Sequence, residues 1–259
     1  MMTVRDIDAC LSLHAPKSLS ESWDNDGVML CRTPEKAVRR VLIMLEVREN
    51  GVKYAIENGY DLIVTHHPLI FHPLSSVTSE TYSLFETLMR ADIPVLSYHT
   101  RLDSAEDGVN AIAAERLTLE NTASFGGESD SLGRIGDLPD EMTRDAFIAH
   151  VKTAFGVPAV RASFFADDSR RIRKVAVVGG AGKHFWRDAL KAGADAYVTS
   201  EISHDVFIDA GKAGIAVIDA GHYYTENAVC GRIKSFLDTA FGNDLSSDVF
   251  DVGCPYLDL

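Results

Sequence analysis

The sequence has no run of 18 or more apolar residues, so no membrane-spanning helix is expected. Cysteine is scarce. Cys10, Cys31, Cys230 and Cys254 stand far apart without a C-x-x-C pair, which argues against a disulfide framework or a zinc knuckle and for reduced thiols. Positive charge is in short supply, with 25 Lys and Arg against 38 Asp and Glu, a formal charge of −13. Such an acidic surface repels nucleic acid and anionic membranes. The start lacks an uninterrupted apolar stretch and carries Asp6 and Asp8, so no signal peptide is expected and the protein reads as cytoplasmic. A phosphate loop is also missing: in VVGGAGKHF (177–185), Val177 occupies the first glycine position and His184 follows Lys183, which leaves a tight turn as the better reading. The D-x-H and H-x-H-x-D-H patterns of dinuclear phosphoesterases do not occur.

What remains is an alternation of short Val-, Ile- and Leu-rich runs with helical periodicity, the signature of βαβ units. Strands are predicted at 40–47, 61–67 and 93–100, and again at 174–182, 195–201 and 215–222. Helices are predicted at 50–60, 79–92 and 107–117, then at 184–194, 204–214 and 225–241. NGYDLIVTHH echoes AGADAYVTSE, and IPVLSYHT echoes IAVIDAGH, so the chain reads as an internal duplication of a three-strand α/β unit. The expected organisation is a first lobe at 1–120, a connecting segment at 121–173 and a second lobe at 174–259. Within the connector, 143–155 has helical spacing and 159–165 has strand character.

Sites in open α/β sheets lie beyond the carboxyl ends of the strands. The residues just past these strand ends are His66 and His67, His99 and Asp103, Glu201 and His204, and His222 and Glu226. His222 and Glu226 are spaced i, i+4 after Gly221, so both fall on one helix face. Adjacent residues of a regular strand point to opposite faces, so a His-His doublet rarely clasps one ion but can flank two. Each feature alone has a plain structural reading, as a helix cap or a core histidine. Together they form a set of His and carboxylate groups suited to zinc, iron, manganese or nickel rather than calcium. SWDNDGVML (22–30) reads as a D-G turn anchored by a buried tryptophan.

The motifs WDNDG, LIVTHHPLIF, HTRLD with a following GVN, GRIG, VVGGAG and GHYYTE occur in this order. In this the chain resembles the NIF-three-like dinuclear metal-centre proteins, also known as GTP cyclohydrolase I type 2 homologues, in their short bacterial form. The resemblance implies two similar three-layer α/β lobes facing each other across a dinuclear metal site. It implies two divalent ions held by His66, His67, Asp103, His222 and Glu226, with Glu226 shared, and a hexameric ring of subunits. Arg101 stands where the family usually has Asn, and Glu46 where many members have Asp. The expected activity is metal-dependent hydrolysis of a nucleotide-like substrate such as GTP. His99 is expected as a proton shuttle or an orienter of Asp103, and Arg101 as a contact to a substrate phosphate. Trp23, Asp24, Asn25, Glu201 and His204 are expected to support the ligands from behind. The alternative is a metal store, a metal carrier or a regulatory ring scaffold without turnover.

Overall fold

The computed structural model describes residues 1–76, 78–163 and 169–256. The chain divides into two α/β units, one formed by Met1–Leu102 with Val229–Gly253, the other by Asp103–Ala228 with Cys254–Leu259.

The first unit is built on a 5-stranded sheet. Strands Arg40–Met44, Leu62–Thr65 and Val95–Ser97 run parallel in chain order, with Ser246–Val249 added in parallel beside the first and Gly27–Leu30 antiparallel beside the third. Leu62, Ile63 and Val64 are fully buried, as are Val41, Leu42, Ile43 and Met44. Strands covered on both faces must be apolar at every position, which is why these read as continuous hydrophobic runs. Full burial of each such side chain contributes about 1.5–3 kcal/mol relative to exposure. Helix Val4–His14 starts in a capping box, Thr3 Oγ1 accepting from the Asp6 amide and the Asp6 carboxylate from that of Thr3. It packs against helix Val229–Phe241, where the His14 and Phe236 rings stack 3.8 Å apart.

The second unit carries a 6-stranded sheet. Ile172–Val177, Ala196–Thr199 and Ala216–Asp219 are its parallel centre. Gly133–Met142 and Glu120–Phe125 extend one edge antiparallel, and Arg161–Ser163 closes the other. Val175, Val177, Val198 and Ile218 pack on one face against Ala113, Phe147 and Val151. Ala176, Val178, Tyr197 and Val217 pack on the other against Trp186, Ala189 and Ala210. Helices thus cover both faces, a three-layer arrangement.

The two units repeat one plan. In each, three parallel strands run in chain order, and an antiparallel strand that precedes them in sequence pairs beyond the third. The echo between residues 58–67 and 192–201 reflects this shared topology.

The division along the chain differs from 1–120, 121–173 and 174–259. Residues 103–120 lie in the second unit, and 121–173 is no connector, because its two antiparallel strands and its edge strand hydrogen-bond into the second sheet. The polar alternation of Glu120–Phe125, exposed over most of its length, hid an edge strand. Residues 229–253 return to the first unit, where Ser246–Val249 completes the sheet. The long helix predicted at 225–241 is two, His222–Glu226 and Val229–Phe241. Of the strand predicted at 159–165, Arg161–Ser163 is formed, and Phe164 and Phe165 lie outside the described residues.

Candidate metal centre

The donors of the first unit arise at the ends of neighbouring strands. Strand Leu62–Thr65 stops before the histidine doublet. The backbone amides of His66 and His67 then converge on one acceptor, the Leu45 carbonyl, at 3.1 and 2.8 Å. Thr65 Oγ1 donates to the His67 carbonyl at 2.8 Å. This bend cancels strand alternation and brings adjacent imidazoles side by side, their ring centroids 5.1 Å apart. His99, just past strand Val95–Ser97, places its ring 5.3 Å from His66 and 5.9 Å from His67. His99 thus joins the doublet in a three-imidazole cluster. Asp103 follows on the short helix Thr100–Ser104.

Each of these rings is docked through Nδ1. His66 Nδ1 meets the Tyr98 carbonyl at 2.8 Å, His67 Nδ1 meets Glu46 Oε2 at 3.1 Å, and His99 Nδ1 meets Asp24 Oδ1 at 2.8 Å. An acceptor on Nδ1 selects the tautomer that presents its lone pair at Nε2 and fixes the ring plane, as around metal-bound histidines. Burial pushes the Asp24 carboxyl up, but His99 and the donors of Thr100 outweigh it and hold the group at about 2. At Glu46 burial is again opposed, by His67 and Arg48, and the carboxyl ends below its ordinary value.

The second unit supplies a matching arrangement. Gly221, with φ at +77°, turns the chain from strand Ala216–Asp219 into helix His222–Glu226. His222 Nε2 lies 2.9 Å from Glu226 Oε2, as the i, i+4 spacing predicts. His222 Nδ1 meets Glu201 Oε1 at 2.8 Å. Glu201 holds a left-handed φ of 56°, a conformation that costs a non-glycine residue about 1 kcal/mol or more and is concentrated at functional sites.

The glycines of 177–182 form a cradle. A Cβ at Gly180 would lie 2.0 Å from Glu226 Oε1 and 3.1 Å from His222 Nε2. The polar groups of the turn are consumed internally: the Gly180 amide donates to Thr225 Oγ1 at 3.1 Å, and its carbonyl accepts from the Ser200 amide at 3.0 Å. The turn shapes a carboxylate site and binds no phosphate through these groups. Asn110, from the GVN motif, pins the turn by accepting from the Gly179 amide at 2.6 Å and donating to the Leu132 carbonyl at 2.8 Å. Arg134, from GRIG, ties down the Ser104 and Ala105 carbonyls at 3.0 and 2.7 Å.

Other expected residues are placed as follows. Trp23 is 59% exposed, so it does not anchor the turn by burial. Asn25 donates to the Ile70 carbonyl. His204 opens helix His204–Ala213 at an exposed position. Arg101 is only 3% exposed, with its guanidinium 3.8 Å over the Tyr98 ring and Nε 3.5 Å from Asp26 Oδ2. It is a packed core cation and does not reach solvent to meet a phosphate. Arg161 is a solvent-facing guanidinium beside His222, unmarked in the sequence because a lone Arg on a short strand carries no pattern. It pairs with Asp219 while its side chain stays 68% exposed. A cleft of about 340 Å³ lies there, lined by Val160, Arg161, Glu201, Asp219, His222 and Tyr256.

Within each unit, imidazoles with docked Nδ1, His66, His67 and His99 in the first and His222 beside the Glu226 carboxylate in the second, are donor types that fit a borderline divalent metal. The family model described as Duf34/NIF3 (NGG1p interacting factor 3) matches residues 2–252. The chain belongs to the Duf34/NIF3 family. A Clostridium perfringens protein named GTP cyclohydrolase 1 type 2 homolog is 31% identical over 251 residues, covering 94% of each chain. A Lactococcus lactis protein of the same name is 33% identical over 228 residues, 85% of this chain and 87% of that one. The crystal structure of a Bacillus cereus protein related to NIF3 superposes with a TM-score of 0.91 at 23% identity, covering 100% of this chain and 99% of that one. Membership in the Duf34/NIF3 family accounts for the two-lobe α/β fold. Among the described residues no helix is long and apolar enough to cross a membrane.

Proposed function

We propose that this Duf34/NIF3 protein is a metal-dependent hydrolase that holds two divalent ions through His66, His67, His99, Asp103, His222 and Glu226 and acts on a nucleotide-like substrate. One observation carries the reading. All four imidazoles dock Nδ1 on an acceptor, three of them on the carboxylates Glu46, Asp24 and Glu201. A protein that used these histidines only for packing would have no reason to set every ring in the same tautomer. Divalent ions bound there would supply Lewis-acid charge and make water more acidic. The chain's own contribution is to hold Nε2 lone pairs in place through these acceptors and to keep the Glu226 carboxylate seated over Gly180. Arg161 offers a solvent-facing guanidinium at the His222 cleft, suited to an anionic group of the substrate. The name carried by the Clostridium perfringens and Lactococcus lactis relatives supports a purine nucleotide as the first substrate to try.

The test is metal analysis of freshly purified and reconstituted protein, followed by assay of formate release from GTP and of hydrolysis across a nucleotide panel. Bound transition metal with turnover is expected. Failure to retain any transition ion would overturn the metal assignment. Full metal occupancy with no turnover on the panel would overturn the hydrolase and leave storage, delivery or a ring scaffold.

A further inference from the structure

Among the described residues of the first unit, the most exposed large aromatic side chain, that of Trp23, stands beside the imidazole cluster. Trp23 is 59% exposed and Phe71 41%. Their ring centroids lie 6.0 Å apart with planes inclined at 57°. Both meet His99 edge-on, Trp23 at 6.4 Å and 78°, Phe71 at 5.8 Å and 82°. The two residues come from distant loops, and Asn25, two positions after Trp23, tethers them by donating to the Ile70 carbonyl. Asp24, between Trp23 and Asn25, is locked by His99 and by Thr100, whose amide donates to Oδ2 at 2.9 Å. The indole is thus held on a rigid turn yet left open to water. Exposing that much aromatic surface is unfavourable unless something flat covers it.

We infer that Trp23 and Phe71 form a stacking platform for the planar heteroaromatic ring of the substrate, such as a purine base, on the rim of the metal centre. Both rings stand steeply inclined to the His99 plane, so a ring lying on the indole would sit beside that imidazole. Such a platform would let a chain with a net charge of −13 take a nucleotide, because stacking needs no basic surface. The inference rests on the proposed hydrolase reading for its substrate class, while the stacking itself can be measured without turnover.

The chain has 2 tryptophans, and the other, Trp186, is 3% exposed in the core of the second unit. Fluorescence in the Trp186→Phe background therefore reports Trp23 alone. Metal-reconstituted W186F protein is titrated with GTP, with adenosine and with ribose 5-phosphate. The expected result is saturable quenching by the two purine compounds and none by the sugar phosphate. Equilibrium dialysis on the protein with Trp186 intact is expected to show purine binding on the order of 10-fold weaker in Trp23→Ala and in Phe71→Ala. Trp23→Phe should stay within roughly threefold of the parent, since an aromatic face remains. Metal content should be unchanged in all three. Quenching by the sugar phosphate equal to that by purines, or no quenching by any, would overturn the inference. So would purine binding in Trp23→Ala equal to that of the parent. A change in sedimentation coefficient in Trp23→Ala with intact purine binding would overturn it in favour of a subunit interface. Loss of metal from the parent protein would instead defeat the hydrolase reading, and quenching would still decide the platform by itself.

Discussion

Gly180→Ala isolates the cradle on which the second set of donors depends. A methyl group there meets Glu226 Oε1 at 2.0 Å, its carboxyl carbon at 2.9 Å and His222 Nε2 at 3.1 Å. Gly180 also has φ at +62°, a conformation that alone costs an alanine about 1–2 kcal/mol. The clash adds to this, because the Glu226 side chain is 4% exposed and cannot swing into water without leaving a buried site. Displacing a buried, hydrogen-bonded carboxylate adds about 1–3 kcal/mol. The sum is about 2–5 kcal/mol, and at roughly 2–4 °C per kcal/mol for a chain of this size the melting temperature should fall by about 4–20 °C. Gly193→Ala is the control: it has φ at +85° and nothing within 4 Å of the new Cβ, so it measures the backbone cost alone. Metal affinity, measured by competition with a chromophoric chelator, should drop by about 10–100-fold in Gly180→Ala and stay at the parent value in Gly193→Ala. Equal melting temperatures for the two variants, or parent-like metal affinity in Gly180→Ala, would refute the cradle.

Three further predictions follow from named contacts. Asp24→Asn keeps the shape of the buried acceptor but removes the charge that faces His99 Nδ1, so metal affinity should fall about 10-fold or more with little change in fold by circular dichroism. Arg101→Ala should lower stability by about 2–4 kcal/mol in a denaturant titration, because it strips the Tyr98 ring of its cation and leaves buried Asp26 with Lys17 as its ion-pair partner. A parent-like denaturation midpoint with a raised KM would instead return Arg101 to the substrate. Burial and the neighbouring Asp248 push the Tyr60 phenol up to about 12, and burial drives Tyr98 and Tyr197 higher still. These phenols are protonated in the fold, so their contribution is complete below the unfolded value near 10 and is lost as pH rises through the folded values. Phenolate absorbance should show them ionising only as the protein unfolds at alkaline pH, behind the exposed tyrosines.

Residue patterns alone determined much of the architecture. Strands buried on both faces must be apolar throughout, so 40–44, 62–65, 196–199 and 216–219 were legible as runs, and the helices between them as periodic stripes. The i, i+4 pair of His222 and Glu226 was legible for the same reason: helix geometry is local and reaches only one turn. Edge strands, by contrast, are half-exposed and polar, and 120–125 looked like loop until it paired with 133–142. The return of 246–249 to the first sheet was invisible, because parallel pairing between residues 206 positions apart leaves no local trace.

The same physics divides the candidate site. Residue types and strand ends marked His66, His67, His99, Asp103, His222 and Glu226, because metal donors are few and sit where strands stop. Asp24 and Glu201 were expected behind the ligands, but only tertiary structure decided which imidazole each serves, and it added Glu46. Glu46 serves His67, Asp24 serves His99 and Glu201 serves His222 through hydrogen bonds that span 21, 75 and 21 positions. It also decided that Arg101 is buried and Arg161 exposed, and that Trp23 faces water. A charge or an indole has the same composition in the core and on the surface, and only the packing around it determines whether it holds the fold or meets a ligand.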